Sequence, residues 1–260
     1  MREVTWGRRL GNGALAGLAG GVASAVILWL LVEPQIRRAI AIEDAGAAAT
    51  DAHDHGGAAA AHDHGGEVVT RFQQQIGGTV TIIIVAVLLG LVFAVVYARA
   101  AHRLPGNTAI GRSLTLATLA FLVMGLMPAL VIPSNPPAVG DPDTVNQRTL
   151  TYILVILLSV LAVGLTFAVE KLALRKGLAT EWRWLVTAAS AVVLATIVLV
   201  VTPHLAQPIP AEVPTDLIWK FRVGSLAQLA AMWAAIGLGH GILTYRFMRH
   251  PVVAAQTAFA

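Results

Sequence analysis

Six stretches of the chain are apolar almost without interruption, and polar and charged residues gather in the gaps between them. The stretches are Leu10–Val32, Gly78–Tyr97, Leu114–Ile132, Leu150–Val169, Trp184–Val201 and Ser225–Leu243. Each holds about 18 to 23 residues, enough at about 1.5 Å per residue to cross a hydrocarbon core of roughly 30 Å. Unpaired backbone groups are not tolerated in lipid, so each stretch predicts a helix. The expectation is an all-α integral membrane helical bundle of about six transmembrane helices, with residues 1–260 forming a single membrane domain.

The first stretch also has the outline of a signal peptide, with Arg8 and Arg9 before it and Ala39-Ile40-Ala41 after it. Its apolar run is too long for a signal core, and Glu33, Arg37 and Arg38 separate it from that cleavage-like site. It is expected to stay as a helix. Gly13, Gly17 and Gly21 recur every fourth residue within it, a spacing that lets helix backbones approach closely.

Charge in the gaps orients the bundle. Six spans put both termini on one side, and the four gaps on that side carry 12 of the 18 Lys and Arg residues. The opposite side carries 11 of the 14 acidic residues. The positive-inside rule therefore predicts cytoplasmic termini in a bacterial plasma (inner) membrane.

Composition narrows the chemistry. Charged residues make up only 12% of the chain, against about 25% in a soluble domain. The net charge of +4 does not gather on one surface, so it gives no reason to expect nucleic acid. The absence of cysteine excludes disulfides, thiolate metal sites and iron–sulfur clusters. The chain has no GxxxxGK[ST], HExxH or GxSxG, so Walker-type nucleotide binding, zincin and serine-hydrolase chemistry lack their motifs.

The gap from 33 to 77 is different in kind. It is acidic, with seven Asp and Glu against Arg37, Arg38 and Arg71, and it is Gly/Ala-rich from Ala45 to Gly66. Such a composition has little to pack and predicts a mobile extracytoplasmic metal-binding loop. Within it, Ala52-His53-Asp54-His55-Gly56-Gly57 recurs as Ala61-His62-Asp63-His64-Gly65-Gly66. Four of the chain's eight histidines thus stand beside carboxylates in one short window. Neutral imidazole and carboxylate suit first-row divalent cations, and two His-Asp-His triplets offer four imidazoles to one centre. The candidate ligands are His53, Asp54, His55, His62, Asp63 and His64. Such a site should prefer copper, nickel and zinc to cobalt by intrinsic affinity, so the pattern does not name the metal.

Other outer-face residues extend the set. Glu33 ends the first span beside Pro34, and His204 ends the fifth beside Pro203; a carboxylate and an imidazole there are candidate acceptors at the bundle mouth. Met124 and Met127 share a helix face before Pro128 and read as gap fillers or as a soft stop on an ion path. His240 reads as a helix-contact or exit-side residue, and His102 and His250 have no expected site role. The predicted function is divalent transition-metal uptake without catalysis. The competing readings are metal buffering or sensing without transport, and a membrane metal-dependent oxidoreductase.

Several phrases in order resemble the CbtA family of probable cobalt transporter subunits. They are Leu31-Val32-Glu33-Pro34-Gln35-Ile36, the His/Asp arm, Met127-Pro128-Ala129-Leu130, Gln147-Arg148, Pro203-His204, Gln207-Pro208 and Val213-Pro214. The resemblance runs through most of the chain. It implies cobalt as the transported ion, a link to cobalamin synthesis and a small, single-span, histidine-rich CbtB-like partner. The ligand set itself leaves nickel, zinc and copper as the other candidate ions, the missing Walker-type motif predicts no nucleotide, and the apolar spans predict contact with membrane lipid and allow an oligomer. The family is usually described with five spans, where this chain has six apolar stretches.

Overall fold

The structure, a computed structural model, describes residues 5–53, 70–137, 139–205 and 208–257. Its α-helices, in order, are α1 (Trp6–Ile27), α2 (Glu33–His53), α3 (Arg71–Ala100), α4 (Ala109–Phe121), α5 (Met127–Val131), α6 (Val145–Arg175), α7 (Thr180–Val201) and α8 (Thr215–Thr257). No strand occurs among the described residues. Six helical segments are long and apolar enough to cross a membrane: Trp6–Gly46, Arg71–Ala100, Ala109–Val131, Val145–Arg175, Thr180–Val201 and Thr215–Phe247. They cover the six apolar stretches of the sequence apart from Ile132, and most continue beyond them into polar ends.

Two of these segments are composite. A π-helical turn, Leu28–Val32, joins α1 to α2, and another, Leu122–Leu126, joins α4 to α5. Each stops one residue short of a proline, at Glu33-Pro34 and at Met127-Pro128. Proline has no N–H, and its ring crowds the carbonyl four residues back, so the helix must widen there. The residue before each proline accordingly bonds five residues back, Glu33 N–H to the Leu28 carbonyl and Met127 N–H to the Leu122 carbonyl. Pro128 leaves the Met124 carbonyl without its helical donor, and the Tyr152 hydroxyl donates to that oxygen at 3.0 Å. Tyr152→Phe is therefore expected to cost about 1 kcal/mol, the usual net worth of one hydrogen bond. A thermal melt in detergent checks this, and an unchanged midpoint would remove Tyr152 from the account.

At residue 33 the sequence suggests the end of a span and the start of a loop. The chain instead stays helical to His53. Ala39, Ala41, Ala45 and Ala47–Ala49 supply the best helix former along this stretch, and the π-turn absorbs the proline. The arm's first 21 residues are thus α2.

The chain divides into two compact units. In the first, comprising 1–118, 136–138 and 211–260, α1 lies against both α3 and α8. The glycine spacing read from the sequence forms the α1–α3 seam. A methyl group on Gly13 would lie 2.5 Å from the Gly90 carbonyl oxygen, and one on Gly17 2.5 Å from that of Ala86. One on Gly21 would lie 2.8 Å from Ile83 Cα. Gly20 faces the other way, where a methyl would lie 2.6 Å from Ile236 of α8.

The second unit comprises 119–135 and 139–210. Its core is Val131, Val155 and Val198, one from each of α5, α6 and α7, with Met127, Ile132 and Leu158 packed around them. Helices α6 and α7 are joined by a tight link in which Gly177 has φ +70°. The Leu178 N–H donates to the Ala173 carbonyl and the Gly177 N–H to that of Leu174, a Schellman C-cap whose left-handed residue favours glycine. Only 11% and 6% of the apolar windows of α6 and α7 are buried, so most of their surface is left for lipid or another protein.

Candidate functional site

Two polar centres interrupt the apolar packing of the first unit, near opposite ends of α3. The one near the start of α3 is built on Glu33. Residues four apart on an α-helix drift about 40° per step, so from Gly13 to Glu33 the seam would rotate away by about 200°. The wider π-turn takes back part of that drift, and the seam continues as polar contacts. The Trp29 indole N–H donates to Thr79 Oγ1 at 3.1 Å. One turn on, Glu33 meets Gln75 and Arg71.

The Glu33 side chain is only 7% exposed. Its Oε1 accepts from Arg71 Nη2 at 2.9 Å, from Arg37 Nε at 3.1 Å and from Gln75 Nε2 at 2.5 Å. Its Oε2 accepts from Arg71 Nη2 at 3.1 Å. A capping box starts α3 and sets the position of Arg71: the Gln73 N–H donates to Thr70 Oγ1 while Gln73 Oε1 accepts from the Thr70 N–H. Two guanidiniums on one carboxylate give the cluster a net charge of +1. The place beside Glu33 where a cation would sit is held by arginine. Further along α2, Arg38 Nη1 pairs with Asp216 of α8 at 2.8 Å, and Lys220 joins the same carboxylate at 3.1 Å.

The remaining sequence candidates fall elsewhere. His53 is the last residue of α2. Asp54, His55, His62, Asp63 and His64 lie outside the described residues. His204 is exposed in the segment after α7 and belongs to the second unit, whereas Glu33 belongs to the first. Among the described residues no group of three or more His, Cys, Asp or Glu is placed to hold a metal. Met127 packs against the core of the second unit, the gap-filling role expected for it. His102 is exposed and accepts from Arg103 Nε.

The other centre, near the end of α3, is His240, 3% exposed on α8. Ser113 of α4 donates its hydroxyl to the Gly237 carbonyl at 2.7 Å and stands 3.4 Å from His240 Nδ1. Phe93 and Tyr97 of α3 set their rings edge-to-face with the imidazole, at centroid distances of 5.3 and 4.7 Å. The Tyr97 hydroxyl is committed to the Ala109 carbonyl at 3.3 Å. Small residues make the approach feasible: a methyl on Gly237 would lie 2.5 Å from Ala117 Cβ, and one on Gly241 2.8 Å from Ile110 Cα.

Sequence reasoning did not find Arg71, Gln75 or Ser113. Arg71 and Gln75 are one helical turn apart at the start of α3 and are the signal available for the first centre. For the second, it is the lone histidine inside an apolar stretch.

A helical, multi-pass membrane protein with few buried ionisable groups, each set at a helix contact, is the class these features define. The family model described as probable cobalt transporter subunit (CbtA) matches residues 7–245, and the chain belongs to that family. No curated protein and no solved structure matches it.

Proposed function

We propose that the chain is the membrane subunit of a cobalt-uptake system and is not an enzyme. The match to the cobalt transporter family over residues 7–245 carries this reading. In it, the arm faces outward and both termini are cytoplasmic, as the distribution of Lys and Arg favours. His53, Asp54, His55, His62, Asp63 and His64 collect the ion, and Glu33 and His204 receive it at the bundle mouth. Cobalt is the substrate, with nickel, zinc or copper competing by intrinsic affinity. The chain has no Walker-type motif, so an ion gradient or a partner subunit drives movement. The word subunit in the family description supports a partner, which this reading takes to be a small single-span, histidine-rich protein.

The geometry at Glu33 adds a condition. A cation seated on Oε1 must replace Arg71, Arg37 and Gln75, whereas Oε2 carries Arg71 alone. One divalent ion replacing two guanidiniums leaves the net charge of the cluster unchanged, so the exchange is electrostatically balanced.

Capture is tested by titrating Co(II) into the purified chain in lipid nanodiscs, with all four arm histidines intact or replaced by alanine. The intact chain is expected to bind and to lose affinity as pH falls through about 6.5, where free imidazole protonates and stops ligating. Equal binding by both proteins would show that the arm is not the collector.

A further inference from the structure

We propose that His240 is an internal proton-binding site, and that proton uptake at its Nε2 loosens the contact between α8 and the helices α3 and α4. The inference goes beyond cobalt capture and does not depend on which metal is carried.

Ser113 gives its own proton to the Gly237 carbonyl at 2.7 Å, so towards His240 its oxygen can only accept. The tautomer complementary to that oxygen carries the imidazole proton on Nδ1 and leaves a lone pair on Nε2. A metal ion would need several ligands and room for them. This ring is 3% exposed, with Phe93 and Tyr97 against it, and among the described residues it belongs to no group of three or more His, Cys, Asp or Glu placed to hold a metal. A proton needs one lone pair and almost no room. It would come from water or a buffer acid and form an N–H bond at Nε2, with Nδ1–H still directed at Ser113.

The groups around the ring determine the effect of that proton. From α3 the facing groups are the Phe93 ring and Tyr97, whose hydroxyl is held by the Ala109 carbonyl. From α4 there is Ser113, while Arg112, the next residue back, donates its Nε to the Gly106 carbonyl at 2.9 Å. On the side of α1, Ala16 lies against Gly239, the residue before His240. Among the described residues no carboxylate pairs with His240, and burial disfavours an uncompensated imidazolium. Edge-to-face rings offset part of that charge and water offsets far more. The charged ring is therefore stabilised by opening towards water, and the close Gly237–Ala117 and Gly241–Ile110 contacts are what must part. Proton uptake would thus be linked to a change in helix packing, which is what coupling to a proton gradient requires.

Hydrogen–deuterium exchange of the full chain in nanodiscs tests this without added metal, at about pH 7.5 and about pH 5, which bracket histidine titration. After correction for intrinsic rates, amides in 110–117 and 236–241 are expected to exchange roughly tenfold faster at the acid pH. His240→Gln should melt like the wild type at neutral pH and lose the acid response. Replacing the four arm histidines should leave the response intact. No acid response in the wild type, an unchanged response in His240→Gln, or its loss in the arm variant would each overturn the proposal. If His240→Gln does not fold, Ser113→Ala replaces it: a shifted midpoint supports the site and an unshifted one overturns it. Because no metal enters the measurement, its failure would leave the cobalt reading untouched.

Discussion

Gly17→Leu is expected to abolish recovery of folded protein, whereas Gly11→Leu, two positions before Gly13 on the same helix, is expected to be harmless. A Cβ on Gly17 would lie 2.5 Å from the Ala86 carbonyl oxygen and 2.7 Å from Val87 Cα. Both are backbone atoms, so no rotamer change makes room, and α1 would have to leave α3. Overpacking a core commonly costs about 1–3 kcal/mol when side chains can adjust; here the cost should reach about 3 kcal/mol or more. A Cβ on Gly11 meets nothing within 4 Å. Size-exclusion profiles of fluorescent fusions compare the two directly. Equal monodisperse yields would mean that the glycine seam does not hold α1 to α3.

Arg71→Ala should produce the next largest loss, about 2 kcal/mol. Removing one partner of a buried ion pair costs about 3–5 kcal/mol when the pair is fully enclosed. Arg71 is 36% exposed, and Arg37 and Gln75 remain on the carboxylate, so solvent and the surviving donors reduce the figure. Glu33→Gln should cost less, about 1 kcal/mol, because the amide oxygen still accepts and the two arginines left without a carboxylate, Arg37 and Arg71, are 60% and 36% exposed. The double variant Glu33→Gln/Arg71→Ala should fall short of the sum of the two, since both remove one interaction. Thermal unfolding in one detergent measures all three. Strict additivity would show that the two residues act separately.

Spacing told most about contacts between neighbouring turns. Gly13, Gly17 and Gly21 announced a close helix contact because a four-residue repeat keeps small residues on one face, and that face meets α3. The six apolar stretches announced six helices for the same reason, since length against bilayer thickness leaves few alternatives. Pro34 misled. Proline reads locally as an end, but a π-turn before it and alanines after it let the helix continue, and neither effect can be read from the proline alone. Glu33 was visible as a carboxylate at a span end, yet two of its three partners lie 38 and 42 residues away in sequence. His240 stood out as a histidine in an apolar helix, but its tautomer depends on Ser113, 127 residues earlier. Long-range pairings of single polar residues leave no period in a sequence.

Uptake of radioactive cobalt by cells that lack their own high-affinity importer tests the central claim most directly. The cells would express the chain together with the single-span partner proposed for it, with the arm intact or with His53, His55, His62 and His64 replaced by alanine. At low external cobalt, the intact chain is expected to raise the initial uptake rate well above that of empty cells. The four-histidine variant, present in the membrane at the same level, is expected to lose most of that gain at low cobalt and recover part of it at high cobalt. Uptake by the intact chain no faster than in empty cells, at matched membrane level, would contradict the account.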